Sequence, residues 1–119
     1  MNIINLGRGK GKTTFLVNYS AKTEKPIICC FEYQVEYIKK VAEKLNVKIP
    51  EPIIVNKNNI NEVFREEKEF EPKYLIDDIE GFLNKLLGVK IDCITTSSKV
   101  MHESDLNTKT VFDGTYKYK

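Results

Sequence analysis

The sequence is poor in the residues that build most metal centres and acid–base catalytic sites. Of its 119 residues, one is a histidine, His102, and three are cysteines. No spacing of cysteine and histidine fits a zinc site. We therefore expect neither a Cys/His metal cage nor a histidine-based catalytic triad. Cys29 and Cys93 lie in apolar runs, which predicts buried, reduced thiols.

Long apolar runs and a large net charge are also missing. No stretch approaches the ~18 apolar residues of a membrane span. Arg8, Lys10 and Lys12 interrupt the apolar start, so no signal peptide is predicted. The formal net charge is +2, from 19 basic and 17 acidic residues, which gives no strong field toward nucleic acid or membrane. We expect one domain in a cytoplasmic protein that makes no membrane contact.

What the sequence does contain is an alternation of short apolar runs with stretches of helical periodicity. The runs predicted as strands are Ile3–Leu6, "PIICCF", "EPIIV", "KYLIDD" and "VKIDCITTSS". Helices are predicted after the first four, the last of them ending at Gly88 as a C-cap. This order predicts an α/β fold with a mostly parallel sheet covered by helices, in which the continuously apolar "PIICCF" suits a central strand.

The last twenty residues have a different character. "KVMHESDLNTK" is polar and is predicted to be a loop, and "TVFDGTYKYK" places Asp-Gly between β-forming residues, a hairpin signal. We therefore divide the chain into a core, residues 1–98, and a C-terminal extension, residues 99–119, built from a loop and a hairpin.

The first candidate site is the glycine-rich stretch "GRGKGKTT". Such a loop between a strand and a helix can wrap phosphates with its backbone N–H groups, while a lysine reaches the outer phosphates and a hydroxyl holds Mg²⁺. Lys12 and Thr13 are predicted for those two roles. The usual pattern has glycine where this chain has Leu6, so the loop is tighter or Leu6 contributes backbone only. The alternative is a Gly/Lys-rich turn without a ligand. The predicted nucleotide-binding residues are Gly7, Arg8, Gly9, Lys10, Gly11, Lys12, Thr13 and Thr14.

The second candidate site is "KYLIDDIEGFL". Asp77 would lie at the carboxyl end of its strand, where open α/β sheets bind ligands, and would hold Mg²⁺. Asp78 is predicted to orient the attacking water, with Glu80 as the reserve. The alternative is that the two aspartates cap a helix beginning at Ile79.

The third candidate site is the polar end of the fifth predicted strand, "ITTSS". A hydroxyl there could contact the γ-phosphate or hold the water. Thr96 is predicted for that role, with Thr95 and Ser97 next. The alternative is a strand end with no function.

Together these motifs resemble those of a P-loop NTPase, in the class with an additional strand between the Walker A and Walker B strands. The resemblance covers residues 1–98 and implies a three-layer fold, a five-stranded sheet of order 5-1-4-3-2, and the ligands ATP and Mg²⁺. "LIDDIEGFL" and "CITTSS" are similar to the Walker B and sensor-1 regions of bacterial replication initiators and helicase loaders of the AAA+ class. "GRGKGKTT" is similar to the Walker A loop of phage large terminases, which implies that Arg8 serves as an arginine finger in cis.

The function predicted from this resemblance is a Mg²⁺-dependent ATPase, a hydrolase in DNA replication, packaging or transfer of a phage or mobile element. Its expected partners are DNA, a DNA-handling protein or further copies of itself. Tyr116 and Tyr118, alternating with Lys117 and Lys119, could stack on bases and track phosphates, although a hairpin extending the sheet is the simpler interpretation. One alternative is a subunit that binds nucleotide without hydrolysis. A small nucleotide kinase is a weaker alternative. Kinases need a lid that carries arginines, and this chain contains only two arginines, Arg8 and Arg65.

Overall fold

The computed structural model describes residues 1–67 and 71–116. The strands are β1 (Ile3–Asn5), β2 (Ile27–Cys29), β3 (Ile53–Ile54), β4 (Leu75–Ile76) and β5 (Val100–His102). The helices are α1 (Lys12–Thr23), α2 (Glu32–Lys44), α3 (Ile60–Val63), α4 (Ile79–Leu87) and α5 (Thr108–Asp113), with a 3-10 helix at Glu103–Asp105. Strands and helices alternate as predicted, so the α/β pattern is confirmed at the level of element order.

The strands form two short parallel sheets. β1 pairs with β5, and β2 lies between β3 and β4. No ladder joins the two sheets within the described ranges. The predicted single five-stranded sheet of order 5-1-4-3-2, and with it the three-layer fold, is therefore wrong. All three residues of β2 are buried, so both of its faces are apolar and it takes a central position. The apolar composition of "PIICCF" predicts this central position, whereas the sheet order 5-1-4-3-2 implied by the resemblance puts the strand at an edge.

The fifth strand lies later in the chain than predicted. Residues 89–99 carry no strand, and Val89 and Ile94 in this segment are 58% and 59% exposed. The strand is instead Val100–His102, in register with Ile3–Asn5. Met101 is 4% exposed, so its side chain anchors this strand in the core. The polar stretch that predicted a loop therefore hides a three-residue strand.

The C-terminal hairpin is also wrong, because the structure has helix α5 there. Asn107 caps its start by accepting from the Thr110 N–H at 2.7 Å. Gly114 ends it with a left-handed φ of 81°, and its N–H donates to the Thr110 carbonyl. The Asp-Gly pair is therefore a helix terminus and not a hairpin turn. The remaining predicted tail residues, Lys117, Tyr118 and Lys119, lie outside the described residues.

The predicted helices are otherwise confirmed, apart from their lengths. Helix α2 buries Val35, Ile38 and Ala42, which are spaced three and four residues apart. Gly88 is the C-cap of α4, as predicted, with its N–H donating to the Asn84 carbonyl. The third helix is short, four described residues.

The buried side chains form three clusters. The first cluster joins the β1–β5 sheet to α1 and α5, and its buried members are Leu6, Phe15, Met101, Leu106 and Val111. The other two clusters lie around the β3–β2–β4 sheet. Cys29 and Cys30 are buried, but Cys93 is exposed, which contradicts the expectation of a buried thiol. Among the described residues, no helix is long and apolar enough to cross a membrane.

Candidate functional site

The glycine-rich loop leaves the carboxyl end of β1 and leads directly into α1. A turn inside it is closed by the Lys10 N–H, which donates to the Gly7 carbonyl at 3.0 Å. Gly9 and Gly11 have φ values of 74° and 84°, a left-handed conformation that other residues rarely adopt. The sequence G-x-G at these positions therefore fixes the shape of the loop.

Leu6 explains the departure from the usual loop pattern. Its side chain is 3% exposed and packs in the cluster that contains Phe15 and Met101. A glycine at this position would remove a core residue at the end of β1. The loop proper therefore begins at Gly7, and Leu6 anchors it to the sheet.

The amino end of α1 has no side-chain cap. Its N-cap is Gly11, and the first intrahelical bond is donated by Phe15 to the Gly11 carbonyl at 2.8 Å. The first N–H groups of a helix have no partner within the helix, and they carry partial positive charge. There is no acidic residue in this first turn, and Lys12 adds a full positive charge. This end of α1 is therefore suited to an anion.

A hydrogen bond connects this loop to the second motif. The Thr13 hydroxyl donates to Asp77 Oδ2 at 2.9 Å, although the residues are 64 positions apart in the chain. Both side chains are partly buried. The residues predicted as the two magnesium ligands are thus brought into direct contact.

Asp77 lies just after β4, in an environment that disfavours its charge. Burial raises the pKa of its carboxyl group, and the negative charge of Asp78 adds to the increase. The hydrogen bond from Thr13 and the positive charge of Lys12 act in the opposite direction. A partly desolvated carboxylate beside a hydroxyl gains from a cation, which would supply the charge that the surrounding residues only partly provide.

Asp78 follows with a different role in the structure. Its φ of 62° is left-handed, and its side chain accepts from the Gly81 N–H at 3.3 Å, so Asp78 is the N-cap of α4. A Cβ at position 81 would come 2.6 Å from Asp78 Oδ2, so a larger residue there would require the Asp78 carboxylate to shift. The capping alternative is therefore the arrangement present for Asp78. Asp78 and Glu80 are both exposed, in the residues that follow Asp77.

Most of the remaining loop residues lie on the surface of the molecule and not in a closed pocket. Gly7, Arg8, Gly9 and Lys10 are exposed, and so is Lys12. Thr14 is partly buried. The loop thus presents three cations to solvent next to the contact between Thr13 and Asp77.

The structure does not place Thr96 at a strand end. It is exposed within the irregular segment after α4, where its hydroxyl accepts from the Ser98 N–H at 3.0 Å. Thr95 and Ser97 lie in the same segment. The prediction that these residues end the fifth strand is wrong, because that strand begins at Val100.

Two residues at the loop were missed by sequence reasoning. Asn5 and His102 are in register at the carboxyl ends of β1 and β5, and Asn5 Nδ2 lies 3.3 Å from His102 Nδ1. Both are exposed and Asn5 is two residues before Gly7. His102 therefore occupies the position that had been assigned to Thr96. The one available signal was the pair Val100-Met101 immediately before the only histidine.

Helix α5 packs next to the end of the loop at Gly11. Val111 Cγ1 would lie 3.8 Å from a Cβ at Gly11, so these residues are in van der Waals range. Tyr116 packs against Tyr19 with ring centroids 5.5 Å apart, and its hydroxyl accepts from Asn2 Nδ2 at 2.7 Å. Tyr116 is thus part of the packing around α1.

Comparison with protein-family models, with curated proteins and with solved structures found no match.

Proposed function

We propose that this chain binds a nucleoside triphosphate together with Mg²⁺ at the loop from Gly7 to Thr14. The observation that carries the proposal is the hydrogen bond from Thr13 to Asp77. Two motifs of the sequence, one expected to hold phosphate and one expected to hold metal, meet at this bond. The positive start of α1 stabilises a carboxylate at this place by itself, so the proposal rests on the pairing of a hydroxyl with a carboxylate, which is a ligand set suited to Mg²⁺.

The residues at this contact have the chemistry that Mg²⁺ requires. Mg²⁺ prefers oxygen ligands and is commonly held by one or two protein groups together with phosphate oxygens and water. Thr13 and Asp77 would supply a hydroxyl and a carboxylate. The described residues contain no group of three or more His, Cys, Asp or Glu side chains that could hold a metal ion. Bound Mg²⁺ would offset charge on the phosphate oxygens.

The phosphates themselves would be held by backbone and lysine. The N–H groups at the start of α1 and in the loop supply hydrogen-bond donors, and Lys12 supplies a charge. The exposed Arg8 and Lys10 extend the positive surface. ATP is the preferred nucleotide because the sequence lacks a guanine-reading Asn-Lys-x-Asp signature.

Calorimetric titration with Mg²⁺ and ATP tests this proposal. Wild type is expected to bind, and Lys12→Ala to lose affinity by about tenfold or more, because a charged hydrogen bond to phosphate is removed. Lys44→Ala, at an exposed lysine in the last turn of α2, is the matched control and should bind as wild type does. Equal binding by Lys12→Ala and wild type would exclude the loop as the site.

Hydrolysis is a second candidate function, favoured by the position of Asp78 and Glu80 directly after Asp77. Either carboxylate could orient water, and Arg8 could stabilise charge that develops on the phosphate. The capping contact of Asp78 favours Glu80 more than the sequence alone did. Binding without turnover, as in a regulatory or assembly subunit, needs neither residue.

Phosphate release by two conservative variants separates these functions. Asn caps helices as well as Asp does, so Asp78→Asn should keep the fold and the affinity for ATP. If Asp78 orients water, this variant loses phosphate release, and if Glu80 does, Glu80→Gln loses it. Absence of release by wild type, with and without DNA, would leave binding alone. An ATPase role in DNA replication, packaging or transfer stays a prediction from the resemblance, and stimulation by DNA is its test.

A further inference from the structure

The segment after α4 has the composition of a strand but lies outside both sheets that the described residues form. Residues 89–95 read Val-Lys-Ile-Asp-Cys-Ile-Thr, rich in β-forming residues. The described residues form no ladder with this segment. Unpaired backbone with β-forming side chains is a template for pairing with another chain.

One backbone donor of this segment is already used within its own molecule. The Ile91 N–H donates to Asn84 Oδ1 at 2.8 Å, which directs it toward α4 of its own molecule. Across residues 1–67 and 71–116, the backbone groups of Lys90 and Asp92 make no hydrogen bond. In an extended chain, alternate residues direct their N–H and C=O groups to opposite edges. In an extended conformation, the backbone groups of Lys90 and Asp92 would therefore form one edge that could accept a strand.

Exposed apolar side chains are concentrated at the same place. Ile79 and Leu87 on α4 are 43% and 56% exposed, and Val89 and Ile94 follow them. A groove of about 240 Å³ runs between α4 and this segment, with Glu80 and Asp92 at its side. Such a patch beside an unpaired edge is the usual composition of an interface.

The charges of the segment select its occupant. Pairing a second copy antiparallel about Ile91 places Lys90 opposite Asp92 of that copy, and the symmetry repeats this pair. Val89 then faces Cys93, so apolar residues also meet. If the twofold axis moved from Ile91 to position 90, Lys90 would face Lys90 of the second copy. If it moved to position 92, Asp92 would face Asp92. Both pairings are unfavourable because like charges lie opposite each other. Neither Lys90 nor Asp92 has an ion-pair partner within the described part of its own chain.

We propose that two copies of this chain associate by antiparallel pairing of residues 89–93 about a twofold axis at Ile91. The contact is isologous, so it closes at a dimer. It brings together unpaired backbone edges, apolar side chains and two reciprocal Lys90–Asp92 pairs. The inference stands apart from nucleotide binding, because it uses none of the loop residues.

Charge reversal tests both the association and its register. Sedimentation equilibrium of wild type should show a dimer. Lys90→Asp and Asp92→Lys should each weaken it about tenfold, because two attractive pairs become repulsive. The double variant, Lys90→Asp with Asp92→Lys, should restore the dimer. A monomeric wild type, single reversals without effect, or a double variant as weak as the singles would overturn the proposal.

A disulfide test covers the possibility that charge reversal disturbs folding. In a Cys93→Ser background, Ile91→Cys places two thiols opposite each other on the twofold axis, within the span that a disulfide bridges. It should give a covalent dimer on mild oxidation. Val89→Cys in the same background lies opposite position 93 and should not. Equal cross-linking of both variants, or of neither, would contradict this register.

Discussion

The two halves of the molecule bring opposite charges to the candidate site. The β1–β5 half contributes glycines, lysines and the uncapped start of α1, whereas the β3–β2–β4 half contributes Asp77, Asp78 and Glu80. The Thr13–Asp77 hydrogen bond connects them. The first half carries a positively charged loop, and the second carries a carboxylate whose pKa is raised by burial. The proposed binding of a metal–phosphate complex would need both.

Helix α1 holds the two halves in this relation. Phe15 packs with the first cluster, whereas Val17 is fully buried in a cluster of the second half. The helix that carries Thr13 at its start is therefore packed on both sides. We infer that the geometry of the site depends on how both cores pack against α1.

The largest effects should come from cavities in either core. Leu106 and Ile38 are each 1% exposed, and replacement by alanine should cost about 3 kcal/mol of unfolding free energy. Urea denaturation followed by circular dichroism and by tyrosine fluorescence measures the loss. Because α1 packs in both cores, each variant should unfold in a single transition. Two separate transitions in Leu106→Ala would show that the halves unfold independently.

A smaller loss is expected at the contact of α5 with α1. A Cβ at Gly114 would come 2.5 Å from the Tyr19 backbone nitrogen, and its φ is already 81°. Gly114→Ala should therefore destabilise by about 2 kcal/mol, from strain and overpacking together. Gly88→Ala is the control, since φ is 73° there and a Cβ would meet nothing within 4 Å. It should cost about 1 kcal/mol. If both variants lost the same unfolding free energy in urea denaturation, close packing of Gly114 against α1 would be contradicted.

The smallest effect concerns Asp113 at the end of α5. Hydrogen bonds from the Thr115 N–H and hydroxyl, helped by the charges of Lys22 and Lys109, lower the pKa of its carboxyl group. A lowered pKa in the folded state stabilises above the unfolded-state pKa, and the gain is lost as pH falls through the folded value. Asp113→Asn keeps an acceptor and removes the charge. It should be slightly less stable than wild type at neutral pH and equal to it in strong acid. A difference that persists in acid would point to a cause other than titration.

Local signals predicted the helices and the loop, but not the way in which strands pair. Helical spacing in α2 and the Gly-Lys-Thr step before α1 are encoded within a few neighbouring residues. The sheet order depends on contacts between distant segments, and β5 has only three residues, too few for a periodic pattern. Asp-Gly at position 113 fits both a hairpin and a helix end, and packing of Gly114 against α1 decides between them.

Only part of the candidate site could be predicted, because some of its residues are positioned by contacts between distant segments. Thr13 and Asp77 follow from their motifs, and their side chains share a hydrogen bond in the structure. Thr96 would end a strand only if the apolar segment before it formed one, and that segment is irregular. His102 could be found only after β5 was known to pair with β1.

The most direct measurement is the Mg²⁺ dependence of ATP binding by wild type and Asp77→Asn. Asn keeps the size of the side chain and removes the charge that would hold the cation. If the site spans both halves, Mg²⁺ strengthens ATP binding by wild type, and the strengthening is lost in Asp77→Asn while binding without Mg²⁺ remains. Equal strengthening by Mg²⁺ in both proteins would contradict a metal site at Thr13 and Asp77.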